Sequence, residues 1–467
     1  MSSRLARADT SWLPELGHVS GPIYRAISGA IGEAIRNGGL QPGDRLPPHR
    51  TLAASLGIDI TTVTRGYAEA QRQGLVQATT GSGTFVRAEA HVLGQTAERG
   101  IIDLTMNLPP ALPGFPLGRV IQDTVSRLLR QQDASTLMSY RWSAGTAEDR
   151  AAGAAWLRPN LGRIDPQHLL VCPGAQSAML AILTTLTRPG DVILSERITY
   201  PGIRALAAQL GLILHGVDCD REGLRPDSLE EACRRFRPRL LYVNPTIQNP
   251  TTITITPERR RTLAEAARRQ ELPILEDDAY GLFPSDPPPA IATFAPELTY
   301  YVATVAKSLS PGLRIGYLLA PSHAQTMRLT AALRATALAS SGLLSGIVTS
   351  WIKSGQAADI LAAVRAEGTA RQVIARSFLP EADAHPEGLH VWLRLPAHWQ
   401  APGFAAYVRK QGLSIVPEDA FSLDPTGRRA VRIALGAAPD RARLGEALRA
   451  VSAALSHHLP EAYGSVV

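Results

Sequence analysis

Leu169-Leu170-Val171-Cys172-Pro173-Gly174-Ala175-Gln176-Ser177 is the stretch on which the fold turns. Four apolar residues, a Pro-Gly step and an apolar run to about Leu186 describe a buried strand, a tight turn and a helix start. Free backbone N–H groups at such a start can cradle a phosphate, although a Gly turn alone more often only closes a strand–helix corner. The same alternation of short apolar runs and amphipathic helices continues from Ile101 to the end of the chain. It is the pattern of βαβ units around a mostly parallel sheet.

Upstream the sequence reads differently. Ile23, Ile27, Ile31 and Ile35 recur every four residues, which predicts an amphipathic helix over 22–37, stopped by Gly38 and Gly39. Thr51–Leu56 is a short second helix with Leu52, Ala53 and Leu56 inward and Gly57 placed to end it. Asp59 can cap a third helix over about 60–73. Helix, Gly-containing turn, helix is helix-turn-helix geometry. In the third helix Val63 and Tyr67 can face the core, leaving Thr61, Thr62, Thr64 and Arg65 outward, a set suited to base edges and phosphates. Leu75–Ala78 and Gly81–Val86 then make two short strands around a Gly-rich turn, a wing. Residues 87–100 show no periodicity and read as a linker; no repeat or low-complexity tract is present.

The 467 residues are 45% hydrophobic, 19% charged and 5% aromatic, the makeup of a folded chain long enough for two or three domains. No run of about 18 apolar residues occurs, so no membrane-spanning helix is expected. The segment 1–12 lacks the apolar core of a signal peptide. Cys172, Cys219 and Cys233 have no metal-ligand spacing, so neither disulfides nor a metal site are expected and a reducing cytoplasm fits. The net charge of +7 permits a polyanion partner. Of 48 basic residues only Lys307, Lys353 and Lys410 are lysine. Arginine stays protonated, whereas a lysine amine can lose its proton and form a Schiff base, so a lysine in this background points to chemistry. Lys353 and Lys410 read as surface cations.

Lys307 lies in Thr304-Val305-Ala306-Lys307-Ser308, just after an apolar strand, and Arg314 follows seven residues later, a fork fit for a phosphate. Tyr200, in Thr199-Tyr200-Pro201-Gly202, can stack on a planar ring or simply pack. Asn249, in Gln248-Asn249-Pro250-Thr251, is a neutral donor on a rigid loop or plain turn chemistry. Glu276, Asp277 and Asp278 end a buried strand, which is costly without a cation; a carboxylate there can pair with a protonated pyridine nitrogen. Arg432, on a C-terminal strand, suits a carboxylate or a structural ion pair. Together these parts describe a pyridoxal 5'-phosphate pocket.

Two resemblances follow from these motifs. Gly43-Asp44-Arg45-Leu46-Pro47, Leu52-Ala53 with Leu56-Gly57, Thr62-Val63, Gly74-Leu75-Val76 and Gly83-Thr84-Phe85-Val86 resemble the winged helix-turn-helix of the GntR family. That resemblance implies that Arg45, Arg50, Thr61, Thr62, Thr64 and Gly83 lie near DNA, with Arg65 compensating for Ile60 and Thr64, where family members often carry arginine. Residues from about 101 to 455 resemble fold-type I pyridoxal-phosphate aminotransferases, through Tyr140 with Gly145, Gly174-Ala175-Gln176, Tyr200, Asn249-Pro250-Thr251, Asp277 with Tyr280, Lys307, Arg314 and Arg432. It implies that Lys307 holds the cofactor aldehyde, Asp277 the ring nitrogen, Asn249 and Tyr280 the phenolic oxygen, and Tyr200 the ring face. Gly174, Ala175, Gln176, Thr304 and Arg314 would bind phosphate, Tyr140 would reach the site of a partner subunit, and Arg432 would take a carboxylate. Two departures stand out. The family's Asn-Pro-Thr-Gly ends in Thr252, at a turn that often needs positive φ, and its serine before the lysine is Ala306.

The combined chain resembles the MocR-type subfamily of GntR regulators. The expected organisation is a tail over 1–20, a winged helix over 21–87, a linker over 88–100 and an aminotransferase-like domain over 101–455, with a tail over 456–467. The large part of that domain would cover about 140–330 and a small α+β part about 331–455. The resemblance implies a DNA-binding regulator, a head-to-tail homodimer, that carries pyridoxal 5'-phosphate and senses the cofactor or an amino compound. The alternatives are a working aminotransferase on a 2-amino acid/2-oxo acid pair with a vestigial winged helix, and a cofactor-free scaffold.

Overall fold

The computed structural model describes residues 12–14, 22–36, 40, 44–72, 75–79, 83–86, 102–140, 144–424 and 429–457. The expected linker, most of both tails, and Gly38, Gly39, Gly43, Gly74, Gly81 and Ser82 lie outside the described residues. The chain divides into two compact units, Met1–Ala97 and Glu98–Val467.

In the first unit, helices α1 (Ile23–Arg36), α2 (His49–Leu56) and α3 (Ile60–Arg72) pack around Ile27, Ile31, Leu52, Val63 and Tyr67. Ile23 departs from the expected stripe and is 43% exposed. A spacing of four advances about 40° past a full turn at each step, so a row of four cannot all face one core. Gly57 ends α2 at φ 64, and its N–H reaches the carbonyls of Ala53 and Ala54. Asp59 opens α3 by accepting from Thr61 N–H at 2.7 Å. The strands Val76–Thr79 and Gly83–Val86 pair antiparallel as the wing, and Arg45 bridges to Phe85 beside them.

Gly66 is where α1 and α3 cross. A Cβ there would lie 3.0 Å from Ile27 Cβ and 3.2 Å from the Tyr24 carbonyl. Gly66→Leu gains about 1 kcal/mol of helix propensity, but overpacking a crossing costs about 1–3 kcal/mol. The crossing term wins, so Gly66→Leu should lower the melting temperature of this unit and weaken DNA binding. A variant that melted higher would show that the helices do not meet at residue 66.

The second unit is built on a seven-stranded sheet. Its order is Leu169–Cys172, Gly316–Leu319, Thr299–Thr304, Ile274–Asp277, Leu240–Val243, Val192–Glu196, Ile213–Val217, and only Gly316–Leu319 runs antiparallel to its neighbours. Both faces are covered, which is why the strands are continuous apolar runs rather than alternating ones. Leu170, Cys172, Tyr242 and Leu275 join one core, with Met179, Ile182 and Leu329 of the covering helices. Leu169 and Val171 face a second core with Tyr317 and Trp351, while Leu241 and Val243 face a third with Leu263 and Ala267.

A smaller antiparallel sheet orders Asp383–Ala384, His390–Arg394, Ala430–Ala434 and Val416–Pro417. Helices Gln356–Phe378, Ala401–Lys410 and Arg441–Leu455 complete its core. Two features differ from a small part beginning near residue 331. Helices His323–Ala337 and Gly342–Ser354 bury Leu329 and Trp351 in the cores of the large sheet. The short strand Ile102–Asp103, from the start of the unit, pairs parallel with Leu413–Ser414 and lends Ile102 and Leu104 to the small core.

Candidate functional site

The carboxyl ends of the central strands, with the turns that follow them, carry most of the expected site residues. Side chains alternate across a strand, and this parity separates the three acids that the sequence runs together. Glu276 accepts from the N–H groups of Ile291 and Ala292 at 2.7 and 2.8 Å and lies 4.0 Å from Arg260. Asp278 accepts from Asn160 Nδ2 at 3.0 Å and Tyr301 Oη at 3.1 Å. Asp277 accepts from Tyr242 Oη at 2.9 Å through Oδ2, and its Oδ1 is buried without a partner. Burial pushes the Asp277 carboxyl up to about 6, against the Tyr242 bond; Asp278 adds to the rise and Lys307 opposes it.

Lys307 follows the strand Thr299–Thr304. Burial and the Arg432 guanidinium lower its amine to about 8, and Asp277 pulls the other way. Its Nζ donates to the Asn107 carbonyl at 2.5 Å. Lys353 is instead an exposed ion pair with Glu148 at 2.5 Å, as its surface reading requires.

Gly174 holds φ 90 and ψ 168, a conformation open essentially to glycine, and so turns the strand Leu169–Cys172 into the helix Ala175–Leu186. The Arg314 guanidinium lies over that turn, 3.3 Å from where a Gly174 Cβ would stand, and Nη2 donates weakly to the Pro173 carbonyl at 3.4 Å. Arg314 itself has φ 51. Gln176 Nε2 donates to the Gly202 carbonyl at 3.1 Å, and a Cβ on Gly202 would strike the Tyr200 ring at 2.2 Å. Glycine at 202 therefore makes room for that aromatic. Thr304 Oγ1 is engaged in its own turn, donating to the Ile315 carbonyl at 3.2 Å and accepting from Ala306 N–H at 3.1 Å.

On the small sheet Arg432 is buried. Its Nη1 donates to Asn249 Oδ1 at 2.8 Å, its Nη2 to the Thr105 carbonyl, and its Nε has no partner. Tyr280 is buried with its hydroxyl unpartnered, and burial raises its pKa. Tyr140 stands 76% exposed on this chain. Thr252, where a glycine is usual, adopts φ 64 and donates its N–H to the Gln248 carbonyl at 2.7 Å. The turn keeps its left-handed step at a cost of about 1–2 kcal/mol.

Sequence reasoning missed the supports. Tyr242, inside an apolar strand, orients Asp277. Asn244 donates to the Asp277 carbonyl at 2.5 Å and accepts from Asn249 N–H at 2.8 Å, and its own N–H donates to Glu196 Oε1 at 2.9 Å. Burial pushes the Glu196 carboxyl up to about 7. His390 is buried, with Nε2 3.2 Å from the Gln248 carbonyl and Nδ1 3.0 Å from Asn107 Nδ2. A carbonyl only accepts, so Nε2 carries the proton and Nδ1 accepts from Asn107. Burial and Arg432 hold this imidazole down at about 3, and it is neutral. No local pattern in the sequence pointed to any of these.

Buried polar atoms are normally satisfied, so Asp277 Oδ1, Tyr280 Oη and Arg432 Nε, unpartnered together around an amine, mark a binding site. An acid for a pyridine nitrogen, a phenol for a ring oxygen, a helix start with an arginine for a phosphate, and a lysine amine for an aldehyde are the donor set of pyridoxal phosphate. The residues fit that group. A separate cleft of about 1260 Å³ is lined by Arg197, Asp218, Asp383 and Arg394 and reaches Asn244 and Gln248, but not Lys307, Asp277 or Arg314. On its walls Arg197 pairs with Asp218 and Arg394 with Asp383, and Glu196 Oε2 is the buried lining atom without a partner among the described residues.

In the first unit Arg50 and Arg65 are exposed, and Arg65 lies 4.9 Å from the Tyr24 ring centroid. Gly83 has φ 113 with the Arg45 guanidinium against it. The hydroxyls are more committed than expected. Thr61 Oγ1 donates to Asp59 at 2.5 Å, Thr64 Oγ1 donates to the Ile60 carbonyl at 2.9 Å, and Thr62 is half-buried.

The fold and site define a helix-turn-helix protein carrying a fold-type I aminotransferase domain. Residues 23–86 match the family "Bacterial regulatory proteins, gntR family" and residues 99–451 match "Aminotransferase class I and II". The chain belongs to the aminotransferase class I and II family, in the branch where a GntR domain precedes it, and fits the MocR subfamily. It is 29% identical over 432 residues to YdeF of Bacillus subtilis, named an uncharacterized HTH-type transcriptional regulator, covering 91% of this chain and 92% of that one. It is 29% identical over 332 residues to the probable rhizopine catabolism regulatory protein MocR of Rhizobium meliloti, covering 64% and 66%. The crystal structure of LysN, an alpha-aminoadipate aminotransferase of Thermus thermophilus complexed with N-(5'-phosphopyridoxyl)-L-leucine, superposes with a TM-score of 0.70 at 25% identity, covering 83% of this chain and 98% of that one. The domain family generally uses pyridoxal phosphate. No helix among the described residues is long and apolar enough to cross a membrane.

Proposed function

We propose that this chain is a cytoplasmic DNA-binding transcriptional regulator that carries pyridoxal 5'-phosphate on Lys307 and senses an amino compound. The observation that carries the cofactor reading is the convergence of Asp277 Oδ1 and Tyr280 Oη, both buried and unpartnered, on the pocket of the Lys307 amine. When bound, pyridoxal phosphate supplies an aldehyde that condenses with amines and a ring that withdraws electrons.

The chain's own residues do the rest. Asp277, held by Tyr242, keeps a proton on the ring nitrogen. Tyr280 and Asn249 hold the phenolic oxygen, and Tyr200 covers the ring. The N–H groups at Ala175 and Gln176, with Arg314, hold the phosphate. Arg432, with Nε unspent, binds the carboxylate of an amino compound. A second copy of the chain, expected head-to-tail, would cover Ile121, Leu129 and Met138, which are 40%, 50% and 75% exposed, and bring Tyr140 to the partner's site.

DNA binding is tested on double-stranded DNA from the region upstream of its own gene. Affinity should fall linearly with the logarithm of salt concentration, by about one power per phosphate contact. The double variant Arg50→Ala, Arg65→Ala should weaken binding and reduce the slope by roughly 2. An unchanged slope would remove α2 and α3 from the interface. A working aminotransferase with a vestigial winged helix is the less favoured reading, because α2, α3 and both wing strands are formed and matched relatives such as YdeF are named regulators along nearly their whole length. Steady conversion of a 2-oxo acid without any DNA binding would reverse that order.

A further inference from the structure

The first described residues of the large unit run from the small sheet to the site. Ile102 and Leu104 are held by the carbonyls of Gly412 and Ser414, at 2.7 and 2.8 Å, and the Leu104 carbonyl accepts from Ala434 N–H at 3.0 Å. Thr105 is fixed to Asp103 Oδ1 by its N–H and hydroxyl, at 2.8 and 2.6 Å. The next residues then cross to the groups that matter. The Thr105 carbonyl accepts from Arg432 and the Asn107 carbonyl from Lys307, while the Asn107 side chain binds His390. Gly436 sits so close behind that a Cβ there would fall 1.8 Å from the Leu108 carbonyl. The segment is thus a strap pinned at both ends, with its middle bound to the lysine and to the arginine.

We infer that residues 105–107 report whether the site is occupied: the strap is held down by the free Lys307 amine and loosened when that nitrogen is taken up. The inference rests on the proposed attachment of the cofactor at Lys307. The Lys307 amine attacks an aldehyde in its neutral form, and the net condensation, counted from the ammonium, forms one C=N bond and expels the aldehyde oxygen as water with two of the three ammonium protons. The nitrogen keeps one proton, in a planar geometry set by the new bond, and no longer serves the Asn107 carbonyl. That carbonyl loses a charge-assisted hydrogen bond, while the partners of Ile102 and Leu104 are untouched. The strap's upstream end continues in sequence through 87–101 to the winged helix, so the segment that responds to occupancy adjoins in sequence the one that joins the two units. A signal carried this way needs unequal binding to the two strap states, and the Lys307 bond supplies that difference.

Hydrogen exchange measured by mass spectrometry on the full chain tests this, with the peptide over 102–108 as readout and pyridoxal phosphate as probe. Borohydride reduction and intact mass report attachment separately. Loss of a hydrogen bond to a charged group should speed exchange in that peptide roughly tenfold. The increase is expected in loaded wild type and, without any cofactor, in Lys307→Ala, where added cofactor should change nothing further. Asn107→Ala, which removes the His390 tie and leaves the lysine, should give a smaller increase. Attachment with unchanged or slower exchange would overturn the strap while leaving the cofactor reading intact. Absence of attachment would overturn the cofactor reading, and Lys307→Ala against unloaded wild type would still decide the strap. Equal exchange in those two would end it.

Discussion

Lys307→Ala is expected to abolish covalent capture of pyridoxal phosphate. Wild-type protein treated with the cofactor and borohydride should gain one stoichiometric phosphopyridoxyl label at residue 307, and the variant should gain none. Lys353 is tied to Glu148 at the surface, and Lys410 is exposed at the end of the helix Ala401–Lys410, so neither shares the buried setting of the Lys307 amine. The pH dependence carries a sign. The Lys307 amine is lowered to about 8, so the neutral, nucleophilic form accumulates as pH rises through that value rather than near 10.5. The initial rate of capture should climb between about pH 7 and 9 and then level off. Lys307→Arg keeps the charge and should also remain unlabelled. A label that persisted in Lys307→Ala, or a rate still rising through pH 10, would remove the amine at 307 from the chemistry.

What could be read from the sequence, and what could not, follows from the reach of each interaction. The turn at Gly174 was legible because strand, glycine and helix start are contiguous, and the departure at Thr252 could be seen to fall on a turn that takes φ 64 in the structure. Lys307 stood out against an arginine background, and the structure places its amine buried just after the strand Thr299–Thr304. Local pattern alone offered Glu276, Asp277 and Asp278 only as a group, and the family resemblance singled out Asp277, since which acid faces the pocket depends on strand parity relative to neighbours outside the motif. Asn107 lies 200 residues from the lysine it serves, and His390 lies 283 from Asn107. No local pattern encodes such pairings. Thr61 shows the converse: its position on α3 was correct, but its hydroxyl is spent on the Asp59 cap, a competition that spacing alone does not settle. Ile23 was misplaced because a four-residue spacing drifts off the buried face.

Asp277→Asn should move stability and cofactor affinity in opposite directions. The folded-state value of about 6 lies above the ordinary 3.8, so the native protein binds this proton more tightly than the unfolded chain does. The contribution of Asp277 is therefore full below about 3.8 and is lost as pH rises through about 6. At pH 7.5 the unloaded protein carries a buried carboxylate whose Oδ1 has no partner, at a cost on the order of 2–3 kcal/mol. Asparagine keeps the acceptor for Tyr242 and removes the charge. The unloaded variant should be more stable than wild type by that amount at pH 7.5, with the difference vanishing toward pH 4. Cofactor binding should respond the other way, because the carboxylate is compensated only when a protonated ring nitrogen faces it. Truncating one partner of such a buried charge pair costs about 2–5 kcal/mol, so affinity should fall by at least roughly thirtyfold. Thermal melts across pH, with and without pyridoxal phosphate, measure both. A variant no more stable than wild type at pH 7.5 would show that the carboxylate is not held against its own desolvation, and unchanged affinity would assign the ring nitrogen to another group. If both expectations hold, the strain at Asp277 is a cost of folding that cofactor binding relieves, which ties the stability of the sensing unit to the occupancy of its site.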